Sequence, residues 1–170
     1  LREVLGAHVQ QKGSLVTPER TRFDFSHNAP VTEAQRAQIE AIVNAEILAN
    51  AATQARVLPI DEAQKLGAMM LFGEKYGDQV RVVSVGDWAR ELCGGTHVER
   101  SGQLGIVKLL SESSVGAGVR RVEALVGVDA YKFLAREHVL LNSLTELIKG
   151  SRTEELPERI SELLAKIKDI

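Results

Sequence analysis

Residues 105–127, GIVKLLSESSVGAGVRRVEALVG, have the pattern of two β-strands joined by a tight turn. The first strand is predicted over 105–114, and the second follows the turn at Gly116-Ala117-Gly118. Glycine readily takes the left-handed backbone conformations that hairpin turns require. We therefore expect an antiparallel hairpin here, and the remaining elements are placed around it.

Three further stretches have strand character. The clearest is QVRVVSV at 79–85, and ATQARVLPI is predicted to form a strand that ends near Pro59. SLVTPERTRFDFSH, 14–27, predicts two short strands around Thr17-Pro18. In the second of these, Phe23 and Phe25 fall on one face because side chains alternate along a strand.

Helical patterns lie between the strands. Residues 1–12 carry apolar side chains at helical spacing and predict a helix that stops at Gly13. Thr32 and Gln35 match a capping box, which predicts a helix from there to about Asn50 with Ile39, Ile42, Val43 and Ile47 buried. Asp61 is predicted to cap a short helix that reaches about Gly67.

The composition changes near Val128. Asp129 is predicted to cap a long helix that ends at Lys149-Gly150, and a last helix begins at about Thr153 with an apolar seam that runs to Ile170. Two such helices predict a helical hairpin or the root of a coiled coil, and self-association through them is a hypothesis. The fold class is α+β: a mixed sheet with helices over 1–127, followed by a helical extension over 128–170.

Composition limits the classes of protein to consider. The 170 residues are 44% hydrophobic with a net charge of −2, as expected for a globular chain that does not rely on overall basicity to bind nucleic acid. A single cysteine excludes an internal disulfide and fits a cytoplasmic location, and no apolar run has the length of a membrane span. Because residue 1 is Leu and falls inside a helical pattern, we expect a piece of a longer protein.

The stretch ELCGGTH, 91–97, contains that cysteine four residues before a histidine. Thiolate and imidazole are preferred zinc donors, and glycines allow the backbone to fold tightly between them. Two donors do not complete a zinc site, so an inert buried thiol and a thiol nucleophile with His97 as its base remain alternatives to a metal site at Cys93 and His97.

Other polar residues allow two interpretations each. His8 and Gln11, three apart on the predicted helix, line a polar pocket or form an ordinary helix surface. Arg120 and Arg121 bind a phosphate beside the glycine turn, or they are solvated side chains on an edge strand. Basic residues that include Lys12 and Arg22 form a basic rim if the fold gathers them.

Five stretches, in order, resemble the editing region of the bacterial alanyl-tRNA synthetase family. They are GAHVQQKGSLV (6–16), RFDFSH (22–27), GAMMLFGEKYGDQVRVVSVGD (67–87), ELCGGTHV (91–98) and SGQLGIVKLLSESSVGAGVRRVEALVG (101–127). The resemblance implies an editing domain over 1–127, truncated at its start, and a helical linker over 128–170. Related modules occur in threonyl-tRNA synthetases and in free-standing editing proteins.

The resemblance also implies a function and a set of site residues. Such a domain hydrolyses tRNA(Ala) mischarged with serine or glycine, within an enzyme that attaches alanine to tRNA(Ala) using ATP. It places Gln11, His8 and Thr96 in catalysis and Cys93 and His97 on zinc. Residues that contact the substrate or the tRNA acceptor end are expected to be Lys12, Arg22, Gly94, Gly95, Arg120 and Arg121.

The family's zinc site adds an H-x-x-x-H pair that would precede Leu1. With that pair missing, we expect this chain to bind zinc weakly or not at all and to have impaired activity. The rival hypotheses are a non-catalytic module that contacts tRNA and links to the remaining domains, and a metal-free cysteine hydrolase.

Overall fold

The computed structural model describes residues 1–70, 75–149 and 152–169, which form two compact units, Leu1–Ala130 and Tyr131–Ile170. The first unit contains two antiparallel sheets and the second is helical. This confirms the α+β class. The predicted boundary between 127 and 128 stays a prediction.

The predicted hairpin lies within a four-stranded antiparallel sheet. Its strands, in spatial order, are β1 (Gln11–Val16), β2 (Thr21–Ser26), β7 (Val119–Val126) and β6 (Val107–Gly116). Gly118 takes φ 68° at the turn between β6 and β7. The interpretation that the second hairpin strand is an edge strand is wrong, because β2 pairs with its other side from Thr21↔Ala124 to Ser26↔Val119.

One helix, α2 (Glu33–Leu48), packs beside this sheet. The predicted capping box is confirmed: Thr32 Oγ1 accepts from the Gln35 amide at 3.2 Å, and Gln35 Oε1 accepts from the Thr32 amide at 3.0 Å. These bonds satisfy two amides that a helix start leaves without partners. The helix covers a core made of Val9, Phe25, Val31, Ile39 and Val122.

The second sheet has three strands, β3 (Thr53–Pro59), β4 (Gln79–Val85) and β5 (Ala89–Leu92), in that order and all antiparallel. A short helix, α3 (Ile60–Lys65), contacts β3 and β4. The core between this helix and the three-stranded sheet consists of Ala63, Val80, Val82 and Leu92. Alternation in β4 buries Val80 and Val82 and turns Arg81 to the other face.

The predicted first helix is too long. Helix α1 covers only Arg2–Leu5 and ends at Gly6, whose φ of 119° is outside the helical range. His8 therefore lies in the turn that follows and Gln11 begins β1, so the two residues do not share a helix face. The apolar spacing was misleading because Val9 is buried although it lies after this turn and outside any helix.

Two predicted helix caps are also wrong. Helix α3 begins at Ile60 with Pro59 before it, so Asp61 lies inside the first turn and no side-chain cap bond forms. Helix α4 begins at Val128, and Asp129 is likewise in its first turn. An acidic residue in the first turn still stabilises a helix through the macrodipole.

The second unit contains most of α4 (Val128–Leu147) and all of α5 (Leu156–Lys168), which follows a 3-10 turn at Thr153–Glu155. Pro157 lies in the first turn of α5, as expected. Exposed apolar residues include Leu141 and Leu144 in α4 and Leu163 and Ile167 in α5. Pairing of the helices stays a prediction. Helix α4 ends at Leu147, two residues before the predicted end at Lys149-Gly150, and Gly150 and the seam residue Ile170 lie outside the described residues.

Among the described residues, no helix is both long enough and apolar enough to span a membrane.

Candidate functional site

A cleft of about 710 Å³ lies in the first unit, against strands β1 and β2 and the segment after β5. It is lined by Arg2, Gln10, Gln11, Ser14, Val16, Phe23, Met69, Met70, Glu91, Leu92, Cys93, Thr96 and His97. Four residues predicted from the sequence, Gln11, Cys93, Thr96 and His97, are therefore gathered at one surface. The other predicted site residues do not line this cleft.

The segment Cys93–His97, here called the site loop, begins where β5 ends. His97 Nε2 lies 3.4 Å from Cys93 Sγ, and the Gly95 amide donates to the same sulfur at 3.4 Å. Cys93 is half-buried, whereas Gly94, Gly95, Thr96 and His97 are exposed. The sulfur is thus approached by an imidazole and by a backbone amide, and the Gly95 amide, expected at the substrate, is directed at the thiol.

The donors at this loop fit zinc. Zinc–sulfur and zinc–imidazole bonds of about 2.3 and 2.0 Å at a tetrahedral angle separate the two donor atoms by about 3.5 Å. The observed separation of 3.4 Å in Cys93 and His97 is close to that value. A carboxylate oxygen of Glu91 lies within 4.8 Å of both donors. A closed zinc site has four donors, so these three residues do not complete one.

Arg81 holds the site loop and was overlooked in the sequence. Its Nη1 donates to the carbonyl oxygen of Cys93 at 2.8 Å and to that of Gly95 at 2.7 Å. The sequence QVRVVSV gave no signal for this, because an arginine in an alternating strand ordinarily faces solvent.

Gln11 reaches the cleft from an irregular strand. The pairing of β1 with β2 runs from Gln11↔Phe25 to Gly13↔Asp24, so Lys12 is the extra residue of a β-bulge. Bulges redirect side chains and are common beside active sites. Lys12 is exposed, and Arg2, whose Nε donates to the carbonyl oxygen of Val9 at 2.7 Å, adds a cation to the cleft lining that sequence reasoning missed.

His8 is held away from the cleft lining by a second histidine. Its Nε2 lies 2.8 Å from Nδ1 of His27, and the two rings stack with centroids 5.1 Å apart. Ser26 Oγ donates to the His8 carbonyl and accepts from the Gln10 amide, each at 2.9 Å. This network connects His8 to the residue before Gln11 and gives it a structural role at the start of β1.

The three predicted arginines lie on β2 and β7. Arg121 binds Asp24 with two hydrogen bonds of 2.7 and 2.9 Å, and Arg120 forms a two-point pair with Glu112. The hydrogen bonds from these guanidinium groups hold the pKa of the Asp24 and Glu112 carboxyls below their usual values. Nε of Arg22 is buried without a hydrogen-bond partner among the described residues.

Comparison of the sequence with known proteins relates this chain to a family. Residues 80–123 match the family described as the threonyl and alanyl tRNA synthetase second additional domain. The alanine–tRNA ligase of Methylibium petroleiphilum is 59% identical over 100% of this chain, and that of Methylobacillus flagellatus is 60% identical over 99%. The chain spans about a fifth of the length of these ligases, 19% in both cases. It is therefore a relative of the alanine–tRNA ligases over the segment that it covers, and residues 80–123 of that segment match the second additional domain.

Proposed function

We propose that this segment hydrolyses the ester that joins serine or glycine to tRNA(Ala), within an enzyme that attaches alanine to the same tRNA using ATP. The observation that carries the proposal is the cleft, which brings Gln11 and Thr96 to the same surface as Cys93 and His97. These residues come from parts of the chain about eighty positions apart. The proposal implies a cytoplasmic protein whose partners are the acceptor end of tRNA(Ala) and the remaining domains of the ligase.

Hydrolytic correction is needed because binding alone discriminates poorly between small amino acids. An alanine pocket cannot strongly reject the smaller glycine, and an added hydroxyl is rejected only modestly. A second site with polar groups can instead recognise what the first site lets through. Gln11 and Thr96 provide an amide and a hydroxyl at the cleft for this purpose.

Each of the remaining groups has a role in this proposal. Arg2 places a guanidinium in the cleft lining, and Lys12 is an exposed cation on the adjacent strand β1, which suits the phosphates of an acceptor end. Arg22 is next to the cleft residue Phe23 on β2, so its side chain lies on the other face of the strand and it is a weaker candidate for this contact. Gly94 is exposed and leaves its backbone open to the substrate. Arg120 and Arg121 act mainly within the sheet, because carboxylates already occupy their guanidinium groups.

Cys93 and His97 are the residues that would hold zinc, with the Glu91 carboxylate nearby. When bound, zinc supplies Lewis-acid polarisation of an ester or a water. Since fewer than four donors are gathered here among the described residues, we expect the chain alone to hold zinc weakly. Elemental analysis after dialysis tests this, and a stoichiometric zinc that resists a chelator would contradict it.

The test of the proposed function is the release of serine from preformed seryl-tRNA(Ala). A ligase of full length should release serine and glycine and leave alanyl-tRNA(Ala) intact. His97→Ala in that protein should remove the release, whereas His138→Ala, a matched change at an exposed helix position outside the cleft lining, should not. Equal rates in wild type and His97→Ala would refute the proposal.

A non-catalytic module that only contacts tRNA is the alternative, favoured by the incomplete donor set. It predicts that this chain binds tRNA(Ala) and releases no serine. The thiol–imidazole distance of 3.4 Å also permits a metal-free cysteine hydrolase. Deacylation that persists in the ligase after exhaustive chelation would favour that mechanism. Deacylation that is lost on chelation and recovered when zinc is added would exclude it.

A further inference from the structure

We propose that Arg81 is a positioning residue, which fixes the site loop so that Cys93 and His97 face one another in the cleft. The proposal rests on the function proposed above for the loop, but its structural part can be measured independently. Arg81 does not line the cleft, so it acts through the loop rather than on a substrate.

The first argument is the geometry of the two hydrogen bonds. One terminal nitrogen of Arg81 donates to the carbonyl oxygens of Cys93 and Gly95, at 2.8 and 2.7 Å. A guanidinium nitrogen carries two N–H groups, so each carbonyl receives its own proton. Carbonyls two residues apart are thereby brought to one point, which bends the chain at Gly94.

The second argument is what this bend does to the side chains. With the two carbonyls turned to Arg81, the Gly95 amide is directed at Cys93 Sγ, and His97 Nε2 reaches the same sulfur. Both donor atoms then lie close together at the cleft surface. Without the bend, exposed glycines at positions 94 and 95 would leave the loop many other conformations.

The third argument is that Arg81 is itself firmly placed. It lies within β4, flanked by the buried Val80 and Val82, and pairs with Val57 of β3. Its own carbonyl accepts from the Cys93 amide at 3.1 Å, so the backbone and the side chain of one residue hold the same loop. A regular strand is a more precise support for a site than a loop is.

The test compares Arg81→Met, which keeps much of the side-chain length and removes both donors, with Arg81→Lys, which retains a cation. Arg56→Met is the matched control, because Arg56 is exposed on the neighbouring strand β3. All variants are made in the whole 170-residue chain, and deacylation is measured in the ligase of full length. Thermal melting first establishes that each variant folds.

Amide hydrogen exchange gives the structural readout. The Cys93 amide donates to the Arg81 carbonyl and the Gly95 amide donates to Cys93 Sγ. Exchange at these two amides should be faster by about tenfold or more in Arg81→Met, since the two hydrogen bonds that hold the loop in place are lost. Arg81→Lys should recover part of this protection, and Arg56→Met should show none of the effect. Unchanged exchange in a folded Arg81→Met, or faster exchange spread over all of β3, β4 and β5, would overturn the proposal.

Kinetics provide the functional readout. In the ligase, Arg81→Met should lower kcat for seryl-tRNA(Ala) by about 10-fold to 100-fold, as is typical when an outer support of a site is removed, with little change in KM. An unchanged kcat, when exchange is faster, would refute the role in catalysis. Absence of deacylation in wild type would refute the proposed function, while the exchange data would still decide whether Arg81 orders the loop.

If Arg81→Met does not fold, Arg81→Lys decides alone. An amide exchange rate in the site loop of Arg81→Lys that is faster than in wild type but slower than in an unfolded chain supports the proposal. Wild-type protection together with a reduced kcat refutes it.

Discussion

In the four-stranded sheet, Arg120 and Arg121 are bound to carboxylates of neighbouring strands, whereas in the three-stranded sheet Arg81 is bound to two carbonyl oxygens of the site loop. The consequence of losing each contact differs. A carboxylate left without its partner remains charged and largely buried, which is costly. A carbonyl in an exposed loop can turn to water. The same residue type therefore maintains stability in one sheet and the geometry of a site in the other.

The largest expected effect is in the site loop. Cys93→Ala in the full ligase should lower seryl-tRNA(Ala) deacylation about a hundredfold or more while alanine charging continues, because the cleft loses one of the donors of the proposed zinc site. Cys93→Ser should not restore it, since a hydroxyl is a poorer donor than a thiolate at neutral pH. Melting should change little for this small, half-buried side chain. A wild-type rate of deacylation by Cys93→Ala would show that the Cys93 thiol has no role in the reaction.

The next effect is in the ion pairs of the larger sheet. The Glu112 side chain is 6% exposed, so Arg120→Met leaves a nearly buried carboxylate without its guanidinium and should lower the melting temperature by roughly 5 to 10 °C. The double variant with Glu112→Leu should recover much of the loss, because the stranded charge is gone. Arg81→Met should melt within a few degrees of wild type. If Arg120→Met and Arg81→Met lower the melting temperature equally, the proposed difference between the two sheets is wrong.

Acid should weaken the larger sheet selectively. The pKa values of Asp24 and Glu112 are lowered in the folded chain by hydrogen bonds from Arg121 and Arg120. Their contribution to stability is therefore fully present above the unfolded pKa values near 4 and is lost as pH falls through the lower, folded values. Urea unfolding at pH 7 and at about pH 3 should show a smaller pH effect in a variant with Asp24→Asn and Glu112→Gln. An identical pH dependence would disprove the assignment.

The smallest effect should follow removal of the second unit. Ala130 is fully buried in the first unit, which is why a cut after it is preferable to one at 127. A chain that ends at Ala130 should keep a cooperative thermal transition, because the cores of both sheets lie within it. Circular dichroism provides the measurement. A non-cooperative transition would show that the two units depend on each other.

Several elements were predictable because their signals are local. The capping box at Thr32 and Gln35 fixes the start of α2 through two hydrogen bonds within four residues. The strand QVRVVSV is observed over the predicted range, 79–85. The glycine turn before Val119 likewise joins the expected pair of strands, since the turn and both strands are contiguous in sequence.

Other features could not be predicted because they depend on distant contacts. The apolar spacing of Leu1, Val4 and Val9 fits a helix, but Gly6 ends the helix and Val9 packs in the core from the irregular segment before β1. His8 then meets His27, nineteen positions away, which no spacing rule relates to it. Arg81 likewise acquires its role only when β5 ends beside it and the loop turns back. The proximity of Cys93 and His97 could be predicted because both residues lie in one short motif.

The register of the larger sheet has a consequence for how the chain is synthesised. Strand β2 pairs with β7 across about a hundred residues, and the whole three-stranded sheet is encoded between them. While the chain emerges from a ribosome, the edge of β2 that pairs with β7 therefore stays unpaired until β7 has been translated. Long-range pairing of this kind is slow, because a large loop must close first. Pulse-labelled exchange should accordingly find the amides within each hairpin protected before those between β2 and β7.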